Sequence, residues 1–211
     1  IEKLKRLRIS SIEVTELNDA VLEVIKSNKV IVDHLHIPLQ AGSDEILKAM
    51  NRKYNLDYYK NKIKQIRSIR PDISISTDII VGFPGEDEKL FEQTLKTAQS
   101  IAFSKIHVFP YSIRKNTKAA NMPNQVDGKI KKERAKRLIE LSKELEIEYM
   151  NKFVGKTVEV LTENNKDDIT YGHTGNFLHV KINKVLPNDL LKMVKITSVS
   201  YPYVIGELID E

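Results

Sequence analysis

Residues 73–86 read ISISTDIIVGFPGE, and this stretch decides the fold class. Its first part, up to Val81, alternates isoleucine with small polar residues and then becomes continuously apolar, which is typical of a buried strand. Gly82, Pro84 and Gly85 end the strand, and a helical pattern follows. A long apolar strand that leads directly into a turn and a helix indicates a parallel sheet covered by helices.

The same strand–helix alternation extends to both sides of this stretch. Residues 7–11, 34–39 and 105–110 have strand character. Helical spacing separates these segments, most clearly from Asp57 to a stop before Pro71. Four parallel strands are too few to close a barrel of eight. We therefore expect an α/β fold that is half of a β/α barrel, with an open sheet as the alternative.

The pattern changes after Gly128. Residues 129–150 predict a charged amphipathic helix. From Lys152 onward, short alternating strands and turn residues predict a small all-β barrel, like an OB-fold in size. We therefore expect two domains, residues 1–150 including the connecting helix 129–150, and residues 151–211.

Composition excludes several classes of site. The chain has no cysteine, so it has no disulfide and no thiolate metal site. No apolar run reaches the length of a membrane span, and no targeting segment is visible. We therefore expect a cytoplasmic protein with no membrane partner. Residues 1–151 hold 27 basic and 21 acidic side chains, whereas residues 152–211 hold 7 and 8. The basic excess fits an anionic partner such as nucleic acid, or a solvated charged surface.

Polar residues follow the predicted strands at the edge where parallel β/α folds bind ligands. Glu13 and Asp78 carry carboxylates that can accept the two hydroxyls of a ribose, and Gln40 can both donate and accept. Arg52 can clamp a carboxylate with two parallel hydrogen bonds. The alternatives are that Glu13 caps a helix and that Arg52 is a solvated surface residue. Asp78 stands within an apolar strand, where an unpaired carboxylate is costly.

The chain resembles the radical S-adenosylmethionine methylthiotransferases, in order and with matching gaps over nearly its whole length. The branch that acts on N6-threonylcarbamoyladenosine in tRNA is the most similar, because of the strands at 34–39 and 107–112 and the residues 124–126. The segments that carry the resemblance are RISSIE (8–13), HLHIPLQAGSD (34–44), MNR (50–52), TDIIVGFPGE (77–86) and HVFPYS (107–112).

The resemblance implies an activity and cofactors. The full-length enzyme would add a methylthio group to C2 of N6-threonylcarbamoyladenosine next to the anticodon, using S-adenosylmethionine and two iron–sulfur clusters. This chain contains no cysteine ligand for either cluster. We therefore expect it to be the C-terminal part of such an enzyme and inactive alone, with no catalytic residue of its own. The alternatives are the related isopentenyladenosine-tRNA methylthiotransferase and a non-catalytic RNA-binding module with a decayed barrel.

The resemblance also assigns residues. Glu13, Gln40 and Asp78 match positions near the ribose of S-adenosylmethionine, and Arg52 matches the residue that pairs with its methionine carboxylate. Val81, Gly82 and Phe83 match the segment whose backbone approaches adenine. Residues 151–211 resemble a TRAM domain, a small RNA-binding barrel. Three positions depart from the pattern, with Val14 in place of proline, Ala41 in place of serine and Asn116 in place of glycine.

Given this family, basic and aromatic side chains are candidates for tRNA contacts. The basic candidates lie in the loop after the last strand and in the following helix, and they are Arg114, Lys115, Lys118, Lys131, Arg134 and Arg137. Tyr171, Phe177 and Tyr201 are candidates for stacking on unpaired bases. The alternatives are a solvated helix face and a barrel core. We interpret the three strand histidines, His34, His36 and His107, as lining or packing residues without a metal.

Overall fold

The computed structural model describes residues 3–209, which fold into two compact units. The sheet unit comprises residues 9–29 and 35–145. The barrel unit comprises residues 146–209 together with residues 3–8 and 30–34. The barrel unit thus begins close to the predicted boundary at 150/151 and also includes two short segments from the start of the chain.

The helices and strands follow one another in the order expected from the sequence. The helices are α1 (Asp19–Ser27), α2 (Asp44–Ala49), α3 (Leu56–Ile69), α4 (Glu88–Ile101) and α5 (Gly128–Asn151). The strands are β1 (His34–His36), β2 (Ser74–Val81), β3 (Lys105–Pro110), β4 (Thr157–Lys166), β5 (Ile169–Thr174), β6 (His179–Ile182), β7 (Leu191–Ser200) and β8 (Tyr203–Leu208).

The sheet unit contains a three-stranded sheet in the order β1-β2-β3. Strands β2 and β3 are parallel, with Asp78 opposite His107 and Ile80 opposite Phe109. Consecutive parallel strands that are neighbours in space, with helices between them, fit a partial β/α barrel. The strand predicted at residues 7–11 is wrong, because Leu7 forms only an isolated bridge with Ile31 and no regular pairing follows it.

Strand β2 has two different faces. The side chains of Ile75, Ile79 and Val81 are fully buried, whereas Asp78 and Ile80 alternate with them and remain partly exposed. Because successive side chains of a strand point to opposite faces, the partly exposed residues share one face. This face, which also includes Ser76, is the side of the sheet that carries the candidate site.

Side-chain hydrogen bonds fix the ends of helices and the edge of the sheet. Asn18, Asn55 and Asp87 each accept a hydrogen bond from a backbone N–H in the first turn of α1, α3 and α4. On β3, the backbone N–H of Ile106 donates to Ser142 Oγ of α5 over 2.9 Å. Helix α5 therefore satisfies a backbone group of the outer strand, as sheets require at their edges.

Strands β4–β8 close into a barrel in the order β4-β5-β6-β8-β7. The barrel core contains Val160, Val180, Val194 and Val204, each fully buried. A Cβ on Gly206 would lie 2.3 Å from Val194 Cγ1, so glycine is required there. The sequence predicted a small all-β barrel, and this prediction is confirmed. Its pairing is not wholly antiparallel, because β6 and β8 are parallel neighbours.

None of the helices formed by residues 3–209 combines the length and the apolar character needed to cross a bilayer.

Candidate functional site

A cavity of about 510 Å³ opens on the carboxyl-terminal part of the three parallel strands. Gln40, Asp78 and Ile80 line it together with Phe109, Tyr111 and Arg114. The residues come from the ends of all three strands and from the loop after β3. This is the edge at which β/α folds bind ligands, so the cavity is the candidate functional site.

Asp78 is held by a histidine within this unit. His36 Nε2 lies 3.3 Å from Asp78 Oδ2, and His36 Nδ1 lies 2.9 Å from Ser76 Oγ. The ring of His107 lies 5.6 Å from that of His36. The sequence predicted His36 and His107 to be lining or packing residues, and they do lie on the face of Asp78. The contact of His36 with Asp78 was not predicted.

Gln40 has an unusual backbone, with φ of 70°. Its amide N–H donates to Asp78 O, and its carbonyl accepts from Ile80 N. Tyr54 donates its hydroxyl to Leu39 O over 3.1 Å, directly before Gln40. Burial raises the pKa of Tyr54 to about 12, although the charge of Arg52 acts in the opposite direction. These bonds hold Gln40 in a left-handed conformation that non-glycine residues rarely adopt.

Glu13 and Arg52 are brought together as an ion pair. Arg52 Nη1 donates to Glu13 Oε1 over 2.8 Å, and both side chains are partly exposed. The alternative of a freely solvated arginine is therefore wrong. Arg52 Nε is buried and has no hydrogen-bond partner. A buried guanidinium nitrogen without a partner is expensive, and an anionic group of a ligand would satisfy it.

The turn after β2 is held by hydrogen bonds that involve Glu86 and Arg134 of α5. Gly82 has φ of 71°, and its N–H donates to Glu86 Oε2 over 2.5 Å. Arg134 Nη1 of α5 donates to the same oxygen over 3.0 Å and to the Glu86 carbonyl over 2.8 Å. Burial raises the pKa of Glu86, against the effect of these donors. The Val81 carbonyl accepts from Tyr111 N, and the Phe83 ring packs on Tyr111 at 5.2 Å.

The basic residues predicted to contact RNA have different surroundings. Arg114, Lys115 and Lys118 are exposed in the loop after β3. Lys131 is half-buried, with its Nζ 5.1 Å from the centre of the Tyr111 ring. Burial in the ion pair with Glu86 removes Arg134 from the candidates for a phosphate contact.

Arg137 also forms ion pairs with carboxylates. It pairs with Glu88, Glu92 and Glu133. The hydrogen bond from Arg137 is the main reason that the pKa of Glu88 is lowered. An arginine with three carboxylate partners is a poor phosphate ligand. Of the three basic residues predicted along α5, only Lys131 therefore remains a candidate.

The aromatic side chains of the barrel unit that were predicted to contact RNA lie outside its core cluster. Tyr171 lies 5.3 Å from Tyr203, and neither belongs to this cluster, so the core alternative is wrong for Tyr171. Phe177 lies between the Arg8 guanidinium, 3.8 Å from its ring centre, and the His173 ring, stacked at 4.7 Å. Both neighbours compete with a base for the Phe177 ring faces. Tyr201 is exposed and donates to Glu146 Oε2 over 3.2 Å.

The third strand histidine lies in this unit as well. His34 is buried, and its ring lies 5.0 Å from that of Phe177. It accordingly takes no part in the His36–Asp78 arrangement. Its surroundings agree with the interpretation of His34 as a packing residue.

Sequence reasoning missed His36, Glu86 and Tyr54 as parts of the site. His36 carried a usable signal, because period-two alternation places it on the same face as Gln40, two positions before Pro38. No comparable sequence signal points to Glu86 or Tyr54, because their hydrogen-bond partners lie in other elements of the sheet unit.

The residues present fit S-adenosylmethionine but not an iron–sulfur cluster. The Asp78 carboxylate, which lines the cavity, suits a ribose, and the partnerless Nε of Arg52 suits a carboxylate. Arg52 does not line this cavity and lies in a separate pocket with Tyr54 and Tyr58. The sequence has no cysteine, and residues 3–209 contain no group of three or more His, Cys, Asp or Glu side chains that could hold a metal ion. No chemical step through a cluster is therefore derived from this chain.

Comparison with known proteins shows the family to which the chain is related. The model of the radical SAM superfamily matches residues 1–98. The chain is 38% identical over 216 residues to threonylcarbamoyladenosine tRNA methylthiotransferase MtaB of Bacillus subtilis (strain 168), covering 99% of this chain and 48% of that protein. It is 40% identical over 215 residues to tRNA-2-methylthio-N(6)-dimethylallyladenosine synthase of Thermoanaerobacter pseudethanolicus (strain ATCC 33223 / 39E), covering 100% and 45%.

A solved structure shares the fold. Coproporphyrinogen III oxidase (HemN) from Escherichia coli, a radical SAM enzyme, superimposes with a TM-score of 0.54 at 14% identity, covering 91% of this chain and 46% of that one. At this identity the likeness concerns the fold alone. The chain spans about half the length of the curated relatives it matches. It belongs to the radical S-adenosylmethionine tRNA methylthiotransferase family.

Proposed function

We propose that this chain forms part of an enzyme that adds a methylthio group to C2 of N6-threonylcarbamoyladenosine in tRNA, next to the anticodon. The observation that carries the proposal is the cavity at the strand ends, where Asp78 and Gln40 face a loop that contains Arg114. A nucleoside cofactor and a nucleoside substrate both need such a cleft, with polar groups at fixed points of an apolar wall.

Each cofactor-binding residue has a task that follows from its surroundings. Asp78 accepts ribose hydroxyls, and Gln40 donates or accepts beside it. Arg52 pairs with the methionine carboxylate, for which its partnerless Nε supplies a second donor. Glu13 holds Arg52 and contributes to the ribose site. S-adenosylmethionine held by these residues would supply the radical that the proposed reaction needs to abstract hydrogen.

The segment Val81, Gly82 and Phe83 forms the adenine side of this proposed site. Two of its backbone groups already have partners, because the Val81 carbonyl accepts from Tyr111 and the Gly82 N–H donates to Glu86. The adenine edge therefore meets the remaining groups of the turn. A Cβ at Gly82 would lie 2.4 Å from Lys131 Cγ, so a side chain there would disturb the turn.

The tRNA contacts come from both units. In the sheet unit, Arg114, Lys115, Lys118 and Lys131 remain the candidates for phosphate contacts. In the barrel unit, which we assign to the TRAM class, Tyr171 and Tyr201 offer partly exposed rings to unpaired bases. Phe177 remains a candidate only if a base displaces Arg8 from its ring.

The second candidate substrate is N6-dimethylallyladenosine in tRNA. It is favoured by the names of similarly related proteins, which are 37–43% identical to this chain and include synthases of the 2-methylthio form of that nucleoside. The threonylcarbamoyl group carries a carboxylate, whereas the dimethylallyl group is apolar. A binding-only RNA module remains the third candidate, since this chain holds no cluster ligand.

Nucleoside analysis of tRNA separates these functions. The full coding sequence that contains this chain would be expressed in a bacterium whose own methylthiotransferases have been deleted. We expect mass spectrometry of digested tRNA to show 2-methylthio-N6-threonylcarbamoyladenosine. The 2-methylthio derivative of the dimethylallyl nucleoside would instead assign the other branch. Neither product, with the protein present and tRNA bound, would support the binding module. Asp78→Asn is the matched variant and should abolish the product.

A further inference from the structure

We infer that His36 is a positioning residue, which orients the Asp78 carboxylate so that it receives the ribose hydroxyls of a bound nucleoside. The inference rests on the proposed function, because it takes the cavity to be a nucleoside site. It concerns the side of Asp78 that faces away from the ligand, and it assigns a task to a histidine that resemblance and composition leave as a packing residue.

The first step is the geometry of a chain of three side chains. Ser76 and Asp78 are two positions apart on β2 and therefore share a face. His36 on the neighbouring strand contacts both of them, Ser76 through Nδ1 over 2.9 Å and Asp78 through Nε2 over 3.3 Å. The imidazole thus spans the two side chains, so its ring cannot rotate without breaking both contacts.

The second step is the position of the imidazole proton. An ionised carboxylate only accepts, so the 3.3 Å contact with Asp78 is favourable with the proton on His36 Nε2. In neutral His36, Nδ1 is then an acceptor, and Ser76 supplies the matching donor from its hydroxyl. Ser76 is buried, with 4% of its surface exposed, so this hydroxyl has little access to competing water. The carboxylate therefore selects the tautomer, and the buried serine, whose hydroxyl adapts to it, holds the ring in place beside the carboxylate.

The third step concerns the second carboxylate oxygen of Asp78, Oδ1. His36 Nε2 lies beside Oδ2 of Asp78, while the Asp78 side chain lines the cavity and is about 30% exposed. The other oxygen, Oδ1, is then available to a ligand at a fixed angle. A carboxylate held at one oxygen loses less rotational freedom on binding than an unsupported one, which increases its preference for a correctly placed hydroxyl.

A pair of nucleosides that differ only in their ribose hydroxyls tests this. Adenosine and 2′,3′-dideoxyadenosine would be titrated into the whole chain, and their dissociation constants compared by ligand-observed NMR. We expect the wild-type chain to bind adenosine roughly tenfold more tightly, in line with a charge-assisted hydrogen bond. His36→Phe, which keeps a ring but no donor, should reduce this ratio to about two while affinity for the dideoxy compound changes less than about twofold.

Two further variants separate positioning from simple support of the fold. His36→Gln retains an N–H donor and should keep part of the ratio. Ser76→Ala should lower the ratio by less than His36→Phe, because the imidazole remains but its contact at Nδ1 is lost. His179→Phe, a change at another ring-packed histidine on the barrel unit, is the matched control and should leave the ratio unchanged.

The inference fails if His36→Phe retains the full ratio, or if it weakens both nucleosides equally, as a general loss of structure would. It also fails if the wild-type chain does not distinguish the two nucleosides or binds neither. The tRNA nucleoside analysis is independent of these results. An enzyme that makes the expected product while His36→Phe keeps its hydroxyl preference would overturn this inference and leave the proposed function intact.

Discussion

Two arginines of the sheet unit each contact a glutamate, but their surroundings differ. The side chains of Arg134 and Glu86 are 5% and 0% exposed, whereas those of Arg52 and Glu13 are 29% and 41% exposed. Removing one member of a buried pair leaves a charge without compensation, which costs about 3–5 kcal/mol. A solvated pair contributes about 0–1 kcal/mol. The first pair therefore supports the fold, and the second is free to serve a ligand.

We predict that Arg134→Met lowers the free energy of unfolding by about 3–5 kcal/mol, whereas Arg52→Met lowers it by less than about 1 kcal/mol. Urea denaturation of the two variants measures the difference. The double variant Glu86→Gln with Arg134→Met should recover part of the loss, because it removes the unpaired charge. Equal losses at Arg134 and Arg52 would mean that burial does not distinguish the two pairs.

How far the sequence predicts the site depends on where each partner comes from. Asp78 is identifiable, because a carboxylate in an apolar strand before a glycine turn is costly unless it is paired or binds a ligand. The role of Arg134 is not identifiable. It is one of several basic residues on α5, and its partner Glu86 lies 48 positions earlier in the chain. Periodicity assigns a residue to a face of its own helix, but it does not say which charge on another element that face will meet.

For helix α5 as an element, the sequence likewise predicts the local structure but not the partners of its charged side chains. Its bounds are within one residue of those predicted, because the charged amphipathic pattern is long and regular. Its electrostatic role differs from the prediction. Arg134 and Arg137 face the glutamates at the start of α4, so part of the positive charge of the helix is neutralised within the sheet unit. In the preceding loop, Arg114 lines the cavity, and Lys115 and Lys118 are exposed beside it in the chain.

We predict that the loop, and not these arginines, sets the salt dependence of tRNA binding. The double variant Lys115→Gln with Lys118→Gln should reduce the log–log salt slope by roughly 0.7–0.9 for each phosphate that the loop no longer neutralises. Arg137→Gln should leave the slope unchanged, although it removes three ion pairs. Filter binding over a salt series measures both slopes. If only Arg137→Gln flattened the slope, the phosphate contacts would have to be assigned to α5 instead of the loop.

At the scale of the whole molecule, the barrel unit is more than its C-terminal strands. Alternation predicts β4–β8 well, because each strand has one face in the core. It does not predict that residues 3–8 join them. Arg6 donates to Glu159 Oε1 over 2.9 Å and to the His173 carbonyl over 3.1 Å, contacts that span more than 150 positions. Such pairings follow from the fold as a whole and leave no local signal.

We predict that Arg6→Ala increases the opening of the barrel without affecting the sheet. The variant loses one partly exposed ion pair and its carbonyl bonds, for which we expect a local cost of about 1–2 kcal/mol. Hydrogen exchange followed by mass spectrometry on the whole chain would locate the effect. Faster exchange should be confined to β4 and β5, whose residues Arg6 contacts, while β2 keeps its protection. Lys26→Ala removes an exposed pair with Glu23 on α1 and is the matched control. Equal acceleration in β2 would show that Arg6 stabilises the chain globally. Unchanged exchange in β4 and β5 would show that the N-terminal segment contributes nothing to the barrel.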